Sequence, residues 1–171
     1  ICVHAGEEWH YDNCTFYYLV KNEKFLNEDM QYVASVYPSY GEDVERFHLL
    51  SEWSLGNILG HTVDCVSIEG YAFGAVGRVF QIAENGGVLK HKLWSHNIGT
   101  DIFPPTMIKK FATGKGNANK EAMLEAFEAE TGIDIRIKCG ITNKQWNPIS
   151  DIVDSYYIAK YGFYHKTEET E

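Results

Sequence analysis

Val63-Asp64-Cys65-Val66-Ser67-Ile68-Glu69-Gly70 is the stretch on which the reading of the fold turns. Its apolar run reads as a mostly buried strand, Gly70 stops it, and Glu69 closes it with a carboxylate. A charge at the edge of buried surface is unfavourable unless something binds it, and α/β sheets collect ligand-binding groups at the C-terminal ends of their strands. The ordinary alternative is a strand-end carboxylate that turns into solvent.

Helical patterns flank this strand. Upstream, the run from Glu42 to Leu59 places Val44, Phe47, Leu50, Leu55 and Ile58 on one face, and Gly60 is a natural stop. Downstream, Val79, Ile82, Gly86, Leu89 and Leu93 keep a helical spacing that predicts a helix from Phe73 to Leu93, with Gly86-Gly87 permitting close approach to the sheet. A short strand from Thr100 to Phe103 then meets Pro104-Pro105, a short helix is expected from Met107 to Phe111, and Gly114 and Gly116 mark a loop.

Toward the N-terminus, Ile1-Cys2-Val3-His4 and Thr15 to Val20 read as a hairpin, followed by an extended Tyr-rich stretch from Met30 to Tyr37. Toward the C-terminus, Asn119 to Thr131 reads as a helix with Met123, Ala126 and Phe127 inward and Gly132 as terminator. Ile133, Ile135, Ile137 and Cys139 alternate with Asp134, Arg136 and Lys138, which predicts a half-exposed strand. Asn147-Pro148 is read as the cap and first turn of a helix running to Tyr161. Strands first, then strands alternating with helices, indicate an α/β fold with a sheet of mixed direction.

A chain of 171 residues that is 44% hydrophobic is expected to form one domain over residues 1–165, with residues 166–171 as a solvated acidic tail. No apolar run approaches the roughly 20 residues of a bilayer crossing, and no signal peptide opens the chain. Cys2, Cys14, Cys65 and Cys139 form no CxxC pair, so free thiols in a reducing cytosol are expected. A formal charge of -9 argues against wrapping of nucleic acid by the whole surface. Between Pro104 and Lys120, however, the chain carries Lys109, Lys110, Lys115 and Lys120 and no acid.

Those lysines are candidate phosphate contacts, or a solvated loop and helix start. Gly114-Lys115-Gly116 does not meet the GxxxxGK[ST] spacing, so no ATP site is read there. Asp151 and Asp154 lie one helical turn apart and share a face opposite the Ile149, Ile152, Val153, Tyr156 stripe. Such a pair can grip a hard cation through oxygen, or can be plain helix-start acids favoured by the macrodipole.

Taken in order, these features resemble one family. The strand ending in Glu69, the long helix, the short strand, Pro105-Thr106-Met107-Ile108-Lys109-Lys110, Thr113-Gly114-Lys115-Gly116-Asn117-Ala118-Asn119-Lys120 and Asp151-Ile152-Val153-Asp154 are similar to the RuvC-type Holliday junction resolvases, particularly their phage relatives. The resemblance implies a ribonuclease H-like mixed sheet flanked by helices, in a homodimer that nicks four-way or otherwise branched DNA in a bacterial or phage-infected cytosol. It implies a divalent metal site, magnesium with manganese as a substitute, held by Glu69, Asp151 and Asp154. Lys109 or Lys110, Lys115 and Lys120 become phosphate contacts, one of them stabilising charge at the cleaved phosphate. Tyr71 and Phe73 become candidates for an aromatic wedge in the junction, with a core role as the alternative. One departure stands out: the family's first catalytic Asp, on a central strand expected just before Ile1, is not in this sequence.

Overall fold

The computed structural model describes residues 1–27, 29–71, 79–141 and 145–165. They fall into two compact units, Ile1–Tyr37 with Thr106–His165, and Pro38–Pro105.

The first unit is built on a three-stranded sheet of β1 (Cys2–His4), β2 (Cys14–Val20) and β3 (Tyr32–Val36) in that spatial order. β1 and β2 pair antiparallel with Cys2 opposite Phe16, as the hairpin reading requires. β3 runs parallel to β2, with Phe16 opposite Tyr32. Strict alternation along β2 sends Cys14, Phe16, Tyr18 and Val20 inward, where the Phe16 ring stacks on Tyr32 at 4.9 Å.

Among the described residues four α-helices complete this unit: α3 (Pro105–Thr113), α4 (Lys120–Thr131), α5 (Ile135–Lys138) and α6 (Ile149–Tyr164). α6 packs on β1, β2 and α4. The reason is its apolar stripe: Ile149, Ile152, Val153, Tyr156 and Tyr157 are all buried. Met123 and Phe127 are the buried side of α4, and Phe127 meets Tyr156 edge-on at 5.1 Å.

The strand expected at Ile133 to Cys139 is instead a helical turn. Asp134 caps it, its side chain accepting from the Arg136 and Ile137 amides, and Gly140 leaves it in the left-handed region at φ 63°. Burial discriminates between the two periods: Ile135 and Cys139, one turn apart, are buried, whereas Ile137, which a strand would place beside them, is 71% exposed. α6 also starts differently from expectation. It opens at Ile149, and Asn147 offers its side-chain oxygen to the Ser150 hydroxyl at 3.3 Å instead of capping backbone amides.

The second unit pairs α1 (Asp43–Leu59) with α2 (Val79–Ser95) beside the parallel strands β4 (Cys65–Glu69) and β5 (Gly99–Phe103). Its core joins Leu55 and Ile58 of α1 to Leu93 of α2, with Leu89, Val66 and Ile68 packed against them. Val44, expected on the inner face of α1, is exposed because it stands in the first turn, ahead of the buried Phe47. Ile82 is likewise exposed although it shares the phase of Leu89 and Leu93. β4 is half-buried rather than buried along its length. Residues 72–78, where the expected start of the α2 helix falls, lie outside the described residues.

Candidate functional site

The first unit carries an open cleft whose lining brings together Lys109 from α3, Asn119 and Lys120 from the start of α4, Trp146, and Ser150 and Asp154 from α6. Local chemistry explains how the two lysines arrive there. Thr113 donates to the Lys109 carbonyl at 2.8 Å and its hydroxyl accepts from the Lys115 amide at 3.2 Å, tying the end of α3 to the loop. Gly114 then reverses the chain at φ 79°. Gly116 lies so close to α3 that a Cβ would sit 3.1 Å from the Thr106 carbonyl oxygen. Ala118 is buried, and Asn119 caps α4 by accepting from the Ala122 amide at 2.9 Å.

Lys120 therefore occupies the first residue of α4, the end of a helix where the macrodipole disfavours a cation and favours an anion. A lysine beside free helix amides is a poor choice for stability alone and a good one for holding a phosphate.

Asp151 and Asp154 project from the opposite side of α6 to its buried stripe, as their spacing predicts. Asp154 is half-buried and lines the cleft; Asp151 retains accessible surface and is not part of that lining. Surrounding protein nonetheless pushes the Asp151 carboxyl above its ordinary pKa, through burial first, opposed by the Lys120 ammonium, the amino terminus and a hydrogen bond from Ser150. The donor chemistry, oxygen from paired carboxylates in a partly desolvated place, fits a hard divalent cation. Among the described residues no group of three or more His, Cys, Asp or Glu side chains is assembled for a metal.

Glu69 stands in the second unit, exposed at the C-terminal end of β4, opposite Phe103 of β5. Gly70 donates from its amide to the Phe103 carbonyl at 2.8 Å, which extends the pairing one residue past the acid. Tyr71 is half-exposed and packs on α2: its hydroxyl donates to the Ala83 carbonyl at 3.2 Å, and the Lys90 ammonium lies 5.3 Å from its ring. Lys110 and Lys115 are exposed and do not line the cleft. Phe73 lies outside the described residues.

Sequence reasoning did not single out Trp146, Asn119 or Ser150. Trp146 stands out in the structure because the Arg136 guanidinium lies 5.2 Å from its ring at the edge of the same cleft. A Trp close to the start of a predicted helix was the one available signal.

No family model matches the chain. The structure comparison gives the class: the chain has a ribonuclease H-like α/β fold. The solved structure of RuvC from Thermus thermophilus superposes with a TM-score of 0.53 at 15% identity, covering 74% of this chain and 71% of that one. In sequence, the crossover junction endodeoxyribonuclease RuvC of Gloeobacter violaceus is 30% identical over 105 residues, 61% of this chain and 55% of that protein. The match spans about half the length of this curated relative. The resemblance to RuvC-type resolvases drawn from the motifs is thus supported both in sequence and in fold. Among the described residues, no helix is long and apolar enough to cross a membrane.

Proposed function

We propose that this chain is a structure-selective DNA endonuclease that resolves four-way or branched junctions by hydrolysing phosphodiester bonds, acting as a homodimer in the cytosol. One observation carries the reading: on a fold shared with RuvC, two lysines, a helix N-terminus and a carboxylate face one cleft. Lys109 and Lys120 hold the phosphate backbone, with Lys110 and Lys115 as outlying contacts; each cation that neutralises a phosphate adds to affinity and to its salt dependence. Glu69, Asp151 and Asp154 are the residues that would hold magnesium or manganese through carboxylate oxygens. Such an ion, when bound, lowers the pKa of an attacking water and balances charge on the leaving oxygen. Tyr71 and Phe73 are the candidates to wedge the junction.

The test compares a mobile four-way junction, an RNA–DNA hybrid and a flap, each with magnesium and with chelator. Paired nicks restricted to the junction with magnesium are expected. Glu69→Gln and Asp154→Asn should abolish nicking while junction gel shifts persist. Lys120→Ala should weaken the shift on every substrate and reduce the salt slope by about one. Retained nicking in Glu69→Gln, or equal cutting of all three substrates, refutes the assignment.

The lack of a three-ligand cluster among the described residues favours one second reading, a junction-binding protein without cleavage. It is distinguished by junction shifts that produce no nicks in either magnesium or manganese.

A further inference from the structure

Phosphate and metal chemistry account for only part of the cleft in the first unit. Lys109, Lys120 and Asp154 supply its charge, yet most of the remaining lining is apolar, with Met123 and Leu124 from α4 and Trp146 just ahead of α6. Leu124 and Trp146 both keep accessible surface. A bare phosphate or a metal ion leaves such surface wet, whereas the nucleoside attached to that phosphate can cover it.

Trp146 is anchored on both sides in the chain. Its carbonyl accepts from the Ser150 amide at 2.8 Å, which ties it to the first turn of α6. Arg136 donates from Nη1 to the carbonyl of the preceding Gln145 at 3.0 Å, and its guanidinium lies 5.2 Å from the indole centroid. Trp146 lines the cleft and Arg136 lies outside that lining, so the guanidinium backs the indole from elsewhere than the cleft. An aromatic ring positioned in advance gives up little freedom when a ligand stacks on it.

The cleft offers about 410 Å³ of space that opens to solvent, within the range of small-ligand sites. Lys109 and Lys120 share it with Trp146. A phosphate held on those lysines therefore brings the base of the same or the adjoining nucleotide within reach of the indole. Only a base that has left the duplex stack offers its face in this way.

We propose that Trp146, backed by Arg136, is a stacking platform for an unpaired nucleobase of the DNA strand whose phosphates Lys109 and Lys120 hold. This deepens the nuclease reading above and rests on its phosphate contacts. The platform accepts any base, because every base has a π-face.

The test uses the full chain in chelator, so that no strand is cut, and two labelled oligomers of equal length. One is oligothymidylate; the other is its abasic counterpart, with the same phosphates and no bases. Wild type should bind oligothymidylate at least about fivefold more tightly than the abasic strand. Trp146→Ala should erase that difference and Trp146→Phe should keep most of it, neither changing the salt slope. Lys120→Ala should lower the slope by about one and keep the base preference. Equal wild-type affinity for the two oligomers, or a preference that persists in Trp146→Ala, overturns the platform and leaves the phosphate contacts standing. Equal weakening of both oligomers by Trp146→Ala marks a structural role and overturns it as well. A wild-type chain that binds neither oligomer overturns the phosphate contacts and the platform together, while junction nicking decides the catalytic reading separately.

Discussion

Tyr156→Phe should destabilise the first unit by about 2–3 kcal/mol, far more than the same deletion at the adjacent Tyr157. Both rings are almost wholly buried on α6, so loss of packing is negligible in either case. Their hydroxyls differ. That of Tyr156 accepts from the Trp9 indole at 3.1 Å and donates to the Glu130 carboxylate at 2.5 Å, the same oxygen that receives Lys160. That of Tyr157 is buried and makes no hydrogen bond of ordinary geometry among the described residues, although the Glu130 carboxylate acts on it electrostatically. Removing the Tyr156 hydroxyl forfeits a hydrogen bond to a charged acceptor, about 1.5–3 kcal/mol, and leaves the Trp9 N–H unpaired. Glu130 remains paired with Lys160 and partly solvated, so no buried charge is stranded. Removing the Tyr157 hydroxyl relieves an unsatisfied group and should be neutral or slightly stabilising.

Urea unfolding followed by circular dichroism measures both, with an unchanged m value as the condition for reading the midpoints as stabilities. A double-mutant cycle of Tyr156→Phe with Glu130→Ala should return a coupling of about 1.5–3 kcal/mol. Equal effects at the two tyrosines, or a coupling below about 0.5 kcal/mol, would show that the Trp9–Tyr156–Glu130–Lys160 chain does not hold α6 in place.

Two further outcomes follow from the same geometry. Asp151 has a raised carboxyl pKa in the folded protein, so the folded state holds that proton more tightly than the unfolded chain; the advantage is complete below about pH 3.9 and lost as pH rises through the folded value. Asp151→Asn should therefore raise the urea midpoint at pH 7 relative to wild type and give no gain near pH 3.5; a gain independent of pH would contradict the desolvation argument. Gly86→Ala should fail to give the stabilisation of about 0.5–1 kcal/mol expected for alanine in a helix, because its Cβ meets the Tyr71 hydroxyl. The same change in a Tyr71→Ala background should recover that gain, and equal effects in both backgrounds would mean Tyr71 yields freely.

What was legible in the sequence tracks how many residues carried each signal. β2, α4 and the body of α6 are legible because their periods run long enough to exclude the alternative, while the start of α6 at Ile149 is not. The Ile133 to Cys139 run was not, since alternating Ile satisfies a strand pattern while Asp134 and Gly140 act as cap and terminator of a single turn. Two apolar positions in register cannot by themselves separate period two from an i, i+4 pair. The parallel pairing of β3 with β2 was also hidden, because partner and direction depend on chain reversals whose local sequence, around Glu23–Phe25, carries no strong turn signature. At the site, the lysine-bearing segment was visible as a charge anomaly. Which lysines face the cleft was not, because that depends on where Gly114 and Gly116 turn the chain, and Trp146 reaches the cleft from a loop.

The arrangement of α4 and α6 has a common physical logic. Each helix is fixed by a face that favours folding: Met123 and Phe127 on one, the Ile, Val and Tyr stripe on the other. Each then presents, from its first turns, a group that folding alone would not select. Lys120 stands at the wrong end of a helix dipole for a cation, and Asp151 gives up part of its hydration. Lys120 is the largest attraction that opposes the desolvation of Asp151, so each offsets part of the other's cost. Such a pair contributes little net stability, which the packed faces behind it already supply. What it retains is a cation that lines the cleft and a carboxylate that this cation attracts, a combination that a phosphodiester site uses and a hydrophobic core does not.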